Sequence, residues 1–406
     1  MPEQPNDTDS QDVGRSQPVL AGIVAALVGF TSSFAVVLTG LRAVGASPTE
    51  AASGLLAVCV TQAVGMLWLS RHFRQPITLA WSTPGAALLA GTGTVAGGWP
   101  AAVGAFVTVG LLILLTGFWP RLGRLIASIP TTLAQAMLAG VILPLCLAPV
   151  TAFADEPLAV GPVVVTWLIL QRYSKRWAVP AAFGVAAIVI AVGLARGDDT
   201  LALSDLIPRL DLTVPHWTWQ AIVGIALPLY IVTMASQNIP GTAVMKSFGY
   251  DVPWRSSMTV TGIGTIVGAP AGGHAINLAA ISAALAAAPA AHPDPRKRWI
   301  AATTAGYAYL VLALASAAVA MLVTVAPVGL VETVAGLALL ATLAASLASA
   351  LRTENDREAA ISTFLIAASG ITIASIGSAF WALLAGLIIR YVLTTARPTH
   401  QAGPSH

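Results

Sequence analysis

Long apolar runs broken by short polar islands make up almost the whole chain. Fourteen runs stand out: 18–41, 48–70, 75–97, 99–119, 122–151, 157–173, 178–195, 216–245, 254–269, 270–288, 299–325, 327–351, 357–373 and 375–394. A helix needs about 20 apolar residues to cross a hydrocarbon core of about 30 Å. The pattern therefore predicts an all-α integral membrane fold of fourteen transmembrane segments, with the lipid bilayer as its solvent. The longest polar stretch, 196–215, has seven runs before it and seven after. Seven is odd, so the second half enters from the opposite side, which is the arithmetic of a 7+7 inverted repeat. The divisions are a tail (1–17), a first repeat (18–195), a connector (196–215), a second repeat (216–395) and a tail (396–406).

Composition agrees. Apolar residues make up 56% and charged residues 9%, against about 45–50% and about 25% in soluble domains. Mean hydropathy is +0.81. The few charges then fix sidedness. With the N-terminus in the cytoplasm, 17 of the 20 Lys and Arg residues fall inside, and only Arg42, Arg196 and Arg209 fall outside. That is the positive-inside asymmetry, and one segment more or fewer would destroy it. Both tails are then cytoplasmic and the 196–215 connector periplasmic. The net charge of +3 sits in cytoplasmic loops, with no basic stripe interleaved with aromatics, so nucleic acid is not a partner. Cys59 and Cys146 lie in apolar runs and read as small hydrophobes. There is no His-Glu-x-x-His motif and no P-loop. The expectation is no enzyme, no cofactor, no metal and no ATP-driven pump.

Two runs are irregular in equivalent places. Gln75-Pro-Ile-Thr-Leu-Ala-Trp-Ser-Thr-Pro84 opens as a β-prone stretch and passes through a Ser-Thr-Pro helix start into good helix formers. Gly268-Ala-Pro-Ala-Gly-Gly-His-Ala-Ile-Asn-Leu278 resists helix up to about Gly273. Segments 3 and 10 are thus expected to be discontinuous, each an extended half plus a half-helix. Together the two halves span about 30 Å. Broken backbone at that depth is tolerated only around a protected cavity. Two half-helix N-termini near the midplane would offer free N–H groups and positive partial charge to one anion. Kinked helices are the plainer alternative.

The Gln75–Leu89 stretch, Met234-Ala-Ser-Gln-Asn-Ile-Pro-Gly241 and Gly272-Gly-His-Ala-Ile-Asn-Leu-Ala-Ala280 resemble the benzoate:proton symporter family of bacterial inner membranes. The resemblance runs over nearly the whole chain. It implies the fold shared with uracil permease-type nucleobase transporters and sulfate permeases, with a core domain (18–119 and 216–325) that slides against a gate domain (120–195 and 326–395) in an elevator motion. It also implies a small aromatic carboxylate, benzoate, as substrate and a proton as coupling ion. Relatives of this fold often form homodimers through the gate domain. Nucleobase relatives carry acids on segments 8 and 10, where this chain has Gln237, Asn238, His274 and Asn277. That loss suits an anionic substrate and leaves the proton carrier open.

His274, at the expected start of the second half-helix, is the first candidate for proton coupling, because ionisable groups inside membranes are costly. A neutral helix cap is its bland alternative. Ala275 follows it, and Asn277 is expected one turn on, on the same helix face. Ser82, Thr83, Gly85 and Ala86 form the opposing half-helix start, as ligand groups or merely a cap. Gln237 and Asn238 bind the carboxylate or act as interhelical glue. For the aromatic ring the choices are Trp81 and Phe34, with Phe30 weaker and the small polar patch Thr31–Ser33 beside them. Glu332 is either a second proton-coupling candidate or an acid settled near a helix N-terminus. The mixed-sign run 352–358 reads as a solvated loop. A nucleobase- or sulfate-type permease, a passive organic-anion channel and an intramembrane enzyme are the rival functions.

Overall fold

The computed structural model describes residues 16–196 and 207–395; the N-terminal tail to residue 15, 197–206 and everything from 396 lie outside the described residues. The elements among the described residues are helical apart from two three-residue strands. The first half runs α1 (Ser16–Thr31), α2 (Phe34–Ala43), α3 (Pro48–Phe73), β1 (Leu79–Trp81), α4 (Thr83–Thr92), α5 (Gly98–Phe118), α6 (Pro120–Ala127), α7 (Thr131–Asp155), α8 (Pro157–Tyr173) and α9 (Lys175–Arg196). The second half opens with α10 (Trp219–Ala221), α11 (Leu227–Thr233) and α12 (Ile239–Ser247), joined by π-helical turns at Ile222–Ala226 and Met234–Asn238. It continues with α13 (Trp254–Gly268), β2 (Ile276–Leu278), α14 (Ile281–Ala287), α15 (Trp299–Ala313), α16 (Ser316–Val325), α17 (Leu330–Ala350), α18 (Arg357–Ala368) and α19 (Ser378–Thr395).

Among the described residues seven helices are long and apolar enough to cross a bilayer, and eight if the pair Pro295–Ala313 and Ser316–Val325, bent by 53°, is one span. Several expected segments are subdivided. The first breaks at Ser32–Ser33, where Thr31, Ser32 and Ser33 all return their hydroxyls to carbonyls of the preceding turn. Side-chain bonds of this kind compete with the helix ladder and bend it. The fifth splits into α6 and α7 at Ser128–Pro130, because proline has no N–H to continue the ladder.

Packing falls into two sets. Helices α7, α8, α9, α17, α18 and α19 pack chiefly on one another, while α1 packs on α15, α15 on α3, α13 on α5 and α2 on α4. The α5–α13 approach is set by glycine. A Cβ on Gly262 would sit 2.7 Å from the Leu114 nitrogen, and one on Gly110 would sit 2.9 Å from the Gly262 carbonyl oxygen. Small residues that let backbones meet are how membrane helices gain dispersion contact. The described connector residues are tied down as well. Asp211 N donates to Ser53 Oγ (2.9 Å), Thr213 N to the Pro270 carbonyl (2.8 Å) and His216 N to the Pro100 carbonyl (2.9 Å).

The expectation of a plain solvated loop at 352–358 fails at one residue. Asp356 is buried and accepts from Arg390 Nε (2.7 Å) and Thr132 Oγ1 (3.0 Å), joining α7, α18 and α19. The reason is tertiary: the loop tucks under helices that supply a cation and a hydroxyl from distant sequence. Asp356→Ala is expected to cost about 2 kcal/mol. A fully buried pair broken on one side costs about 3–5 kcal/mol, and the Arg390 side chain is 40% exposed, so solvent screens part of that. Thermal unfolding of the purified variant in detergent checks it.

Candidate binding site at the crossed strands

The centre of the site is a two-stranded antiparallel ribbon. β1 pairs with β2 in the register Leu79↔Leu278, Ala80↔Asn277 and Trp81↔Ile276. Each strand leads into a short helix, β1 into α4 and β2 into α14. This is the extended half plus half-helix that the sequence predicts for both irregular segments. Local chemistry explains α4: Ser82 caps it by accepting from Gly85 N (3.2 Å), and Pro84 occupies the first turn, where its missing N–H costs nothing. Beyond the far end of α14 the buried Arg298 donates to the Ala287 and His292 carbonyls (2.8 and 2.7 Å), a cationic cap on a helix C-terminus.

The second half-helix begins later than expected. His274, Ala275 and Asn277 are not on a helix: His274 and Ala275 lead into β2, Asn277 is inside it, and α14 starts at Ile281. The 268–273 stretch, read as the extended half, instead closes α13 with a 3-10 turn and a glycine corner, Gly272 at φ 88°. The run that follows takes strand geometry because β1 offers it a partner. His274 and Asn277 therefore do not share a helix face. The two half-helix N-termini do not converge on one point either. They flank opposite ends of the three-pair ribbon, about 7 Å of strand at about 3.3 Å per residue.

What gathers at the α4 end is well defined. Ser82 N donates to the Ala275 carbonyl (2.8 Å), and His274 Nε2 lies 3.2 Å from the Ser82 carbonyl. A carbonyl only accepts, so Nε2 carries the proton and Nδ1 presents its lone pair. That Nδ1 is buried with no partner among the described residues. Ser82 Oγ accepts from Gly85 N and from Thr233 Oγ1 (2.9 Å), which leaves its own proton free to donate. Thr83, Gly85 and Ala86 complete the first turn of α4, and Ala86 N already bonds the Ser82 carbonyl (2.7 Å).

Aromatic rings pack beside this polar end. Phe30 stacks on Phe34 with centroids 5.6 Å apart, Trp81 meets Phe30 edge-on at 5.9 Å, and Phe183 from α9 meets Phe34 at 4.6 Å. Tyr309 of α15 completes the cluster 5.9 Å from Trp81. Trp81 Nε1 donates to Ser33 Oγ (2.9 Å), so the polar patch of the first segment positions the indole. Tyr309, Thr233 and Phe183 were not singled out by sequence; a lone tyrosine or threonine in an apolar run gives no sign of which ring or hydroxyl it will meet.

The remaining candidates divide. Asn238 is buried and accepts from Leu278 N (2.9 Å) while donating to Met234 Sδ, so it steadies β2 rather than facing a ligand. Asn277 Nδ2 donates to the Leu278 carbonyl, and its Oδ1 is buried with no partner among the described residues. Gln237 sits half-buried in the π-helical turn. Glu332 is in the first turn of α17, exposed and remote from the ribbon. Among the described residues no group of three or more His, Cys, Asp or Glu side chains is placed to hold a metal ion.

Ser82→Ala is expected to destabilise by about 1 kcal/mol, the usual loss for a helix cap, and to leave Thr233 Oγ1 without its partner. Thermal unfolding compared with Ser82→Thr, which keeps the hydroxyl, separates the cap from the volume change.

A helical chain rich in apolar spans, with broken segments meeting at a buried ribbon, defines a membrane transporter fold. Solved structures carry the same fold: the transmembrane domain of a cyanobacterial bicarbonate transporter, BicA (TM-score 0.58, 13% identity, 91% of this chain and 97% of that one). The murine anion transporter Slc26a9 in its inward-facing state is similar too (TM-score 0.60, 14% identity, 94% and 68%). A sequence profile of the benzoate membrane transport proteins (BenE) matches residues 13–392, and the chain belongs to that family. It is 38% identical to the inner membrane protein YdcO of Escherichia coli over 378 residues (92% of this chain, 95% of that one). It is 29% identical to the benzoate membrane transport protein of Acinetobacter baylyi over 380 residues (92% and 94%).

Proposed function

We propose that the protein is a secondary active transporter that carries benzoate or a similar small aromatic carboxylate, together with a proton, into the cell across the bacterial inner membrane. The observation that carries this reading is the pairing of an orphaned imidazole nitrogen with a ring cluster at one helix N-terminus. The carboxylate sits at the α4 end of the ribbon, taking a hydrogen bond from the Ser82 hydroxyl and lying against the His274–Ala275 backbone. The ring inserts among Phe34, Trp81 and Phe30.

Coupling follows from the tautomer. Nε2–H is committed to the Ser82 carbonyl, so an arriving proton goes to Nδ1. A lone imidazolium inside the membrane is costly, and so is a lone carboxylate. Each cancels the other's cost, so proton and substrate bind together and leave together. Movement of the strand-bearing set of helices against α7–α9 and α17–α19 would then carry the loaded site from one face to the other.

The deciding measurement is radiolabelled benzoate uptake into proteoliposomes holding only this protein, with and without an inward proton gradient. Saturable accumulation that collapses with a protonophore is expected. Accumulation of another anion but not benzoate would discard the substrate, and uptake that ignores the gradient would discard the coupling.

A further inference from the structure

Two cavities follow the seam between the ring cluster and the surface. The outer one, about 660 Å³, opens between the last turn of α2 and the α7–α8 and α16–α17 corners, with Arg42, Asp155, Glu156 and Glu332 on its walls. The inner one is a narrow crevice of about 10 Å³ between Phe34 and Phe183, walled by Leu322, Val323, Val331 and Val334. Val323 and Val331 line both. A single apolar layer thus separates the open cleft from Phe34, the ring at the edge of the proposed site. Val331 and Val334 are buried in that layer, whereas Val328 in the cleft is 89% exposed.

We propose that this cleft is the substrate's capture site on the periplasmic side, and that Phe183, Leu322, Val323 and Val331 form the seal it must pass to reach Phe34. The proposal rests on the reading above of an aromatic carboxylate as substrate and on the sidedness given by the positive charges. Arg42 is the sole cation on the cleft wall and faces three carboxylates there. The three carboxylates repel any anion away from Arg42, and a divalent one about twice as strongly as a singly charged one. One guanidinium amid Val323, Val328 and Val331 suits a singly charged carboxylate with an apolar body. The seal holds no fixed charge, so it yields to a ring and excludes a hydrated ion. The route also uses one continuous helix: Arg42 lies in the last turn of α2 and Phe34 begins it, about 12 Å apart along the axis at 1.5 Å per residue.

Single cysteines test the route in intact cells with a membrane-impermeant charged thiol reagent, the native Cys59 and Cys146 being buried. Val328→Cys is expected to label fast from outside. Val331→Cys and Val334→Cys are expected to label at least several-fold more slowly, and modification at 331 to block uptake. Arg42→Gln is expected to raise the benzoate KM about tenfold and to change the maximal rate much less, with Arg42→Lys recovering most of the affinity. The proposal is overturned if Val331→Cys and Val334→Cys never react from outside while Val328→Cys does, or if Val328→Cys reacts only from the cytoplasm. An unchanged KM in Arg42→Gln overturns the capture role. Labelling needs no substrate, so a wild type that ignores benzoate would remove the substrate reading and still leave the route to be judged.

Discussion

His274→Gln is expected to cut proton-driven benzoate accumulation at least tenfold, roughly 1.4 kcal/mol of lost coupling, while the protein still folds. Glutamine can donate to the Ser82 carbonyl as Nε2 does now (3.2 Å), so the local backbone keeps its partner. It offers no second nitrogen that can take a proton, which is the role assigned to the unpartnered Nδ1. The discriminating readout is the pH profile: wild-type uptake should fall as the outer pH rises and protons become scarce, and the variant's residual uptake should be flat. His274→Ala adds a second defect, a cavity at a buried position beside the Ser82 carbonyl, which keeps only Ala86 N as its partner, and should lose folded protein as well. A glutamine variant that kept a wild-type pH profile would move the proton to another group.

Trp81→Ala should have the largest structural effect. The side chain is buried, contacts Phe30 and Tyr309 edge-on and donates to Ser33. Truncating a buried large aromatic costs about 3–5 kcal/mol, against a total stability of about 5–15 kcal/mol in an ordinary domain. Low yield of folded protein is therefore expected. Trp81→Phe keeps a ring in place and gives up only the indole hydrogen bond, a loss of about 1 kcal/mol. It should fold, and its benzoate KM should rise a few-fold because the ring wall shifts without support from Ser33. Thermal unfolding in detergent and uptake kinetics report the two effects separately. A folded Trp81→Ala with unchanged KM would take the indole out of the substrate pocket.

The broad plan was legible in the sequence because membrane burial imposes it residue by residue. Apolar runs, their polar separators and the irregularity of Gln75–Pro84 and Gly268–Leu278 are all local; both observed strands lie inside those two stretches, α4 starts within the first, and α14 starts just beyond the second. Of the candidate residues, Phe34, Trp81, Ser82, His274 and Asn277 do gather on or beside the ribbon, but the local structure of His274 and Asn277 was misread. His274 and Asn277 follow a Gly-Gly corner and precede good helix formers, so local propensity puts them on a helix. Pairing with β1 overrode that preference, and a strand partner so far away in sequence leaves no local trace. The same applies to Tyr309 against Trp81 and to Asp356 against Arg390 and Thr132: each contact joins elements that only the finished packing brings together.

The ribbon also sets a timetable for synthesis. Leu79–Trp81 is made about 200 residues before its partner Ile276–Leu278. At about 5–20 residues per second the first strand waits roughly 10–40 s for the second. During that interval its peptide groups have no sheet partner, and hydrocarbon offers them none. A nascent first half should therefore stay with the insertion machinery, or in a watery environment, until the second half is threaded. Two half-chains supplied as separate polypeptides should become protease-resistant only when made together.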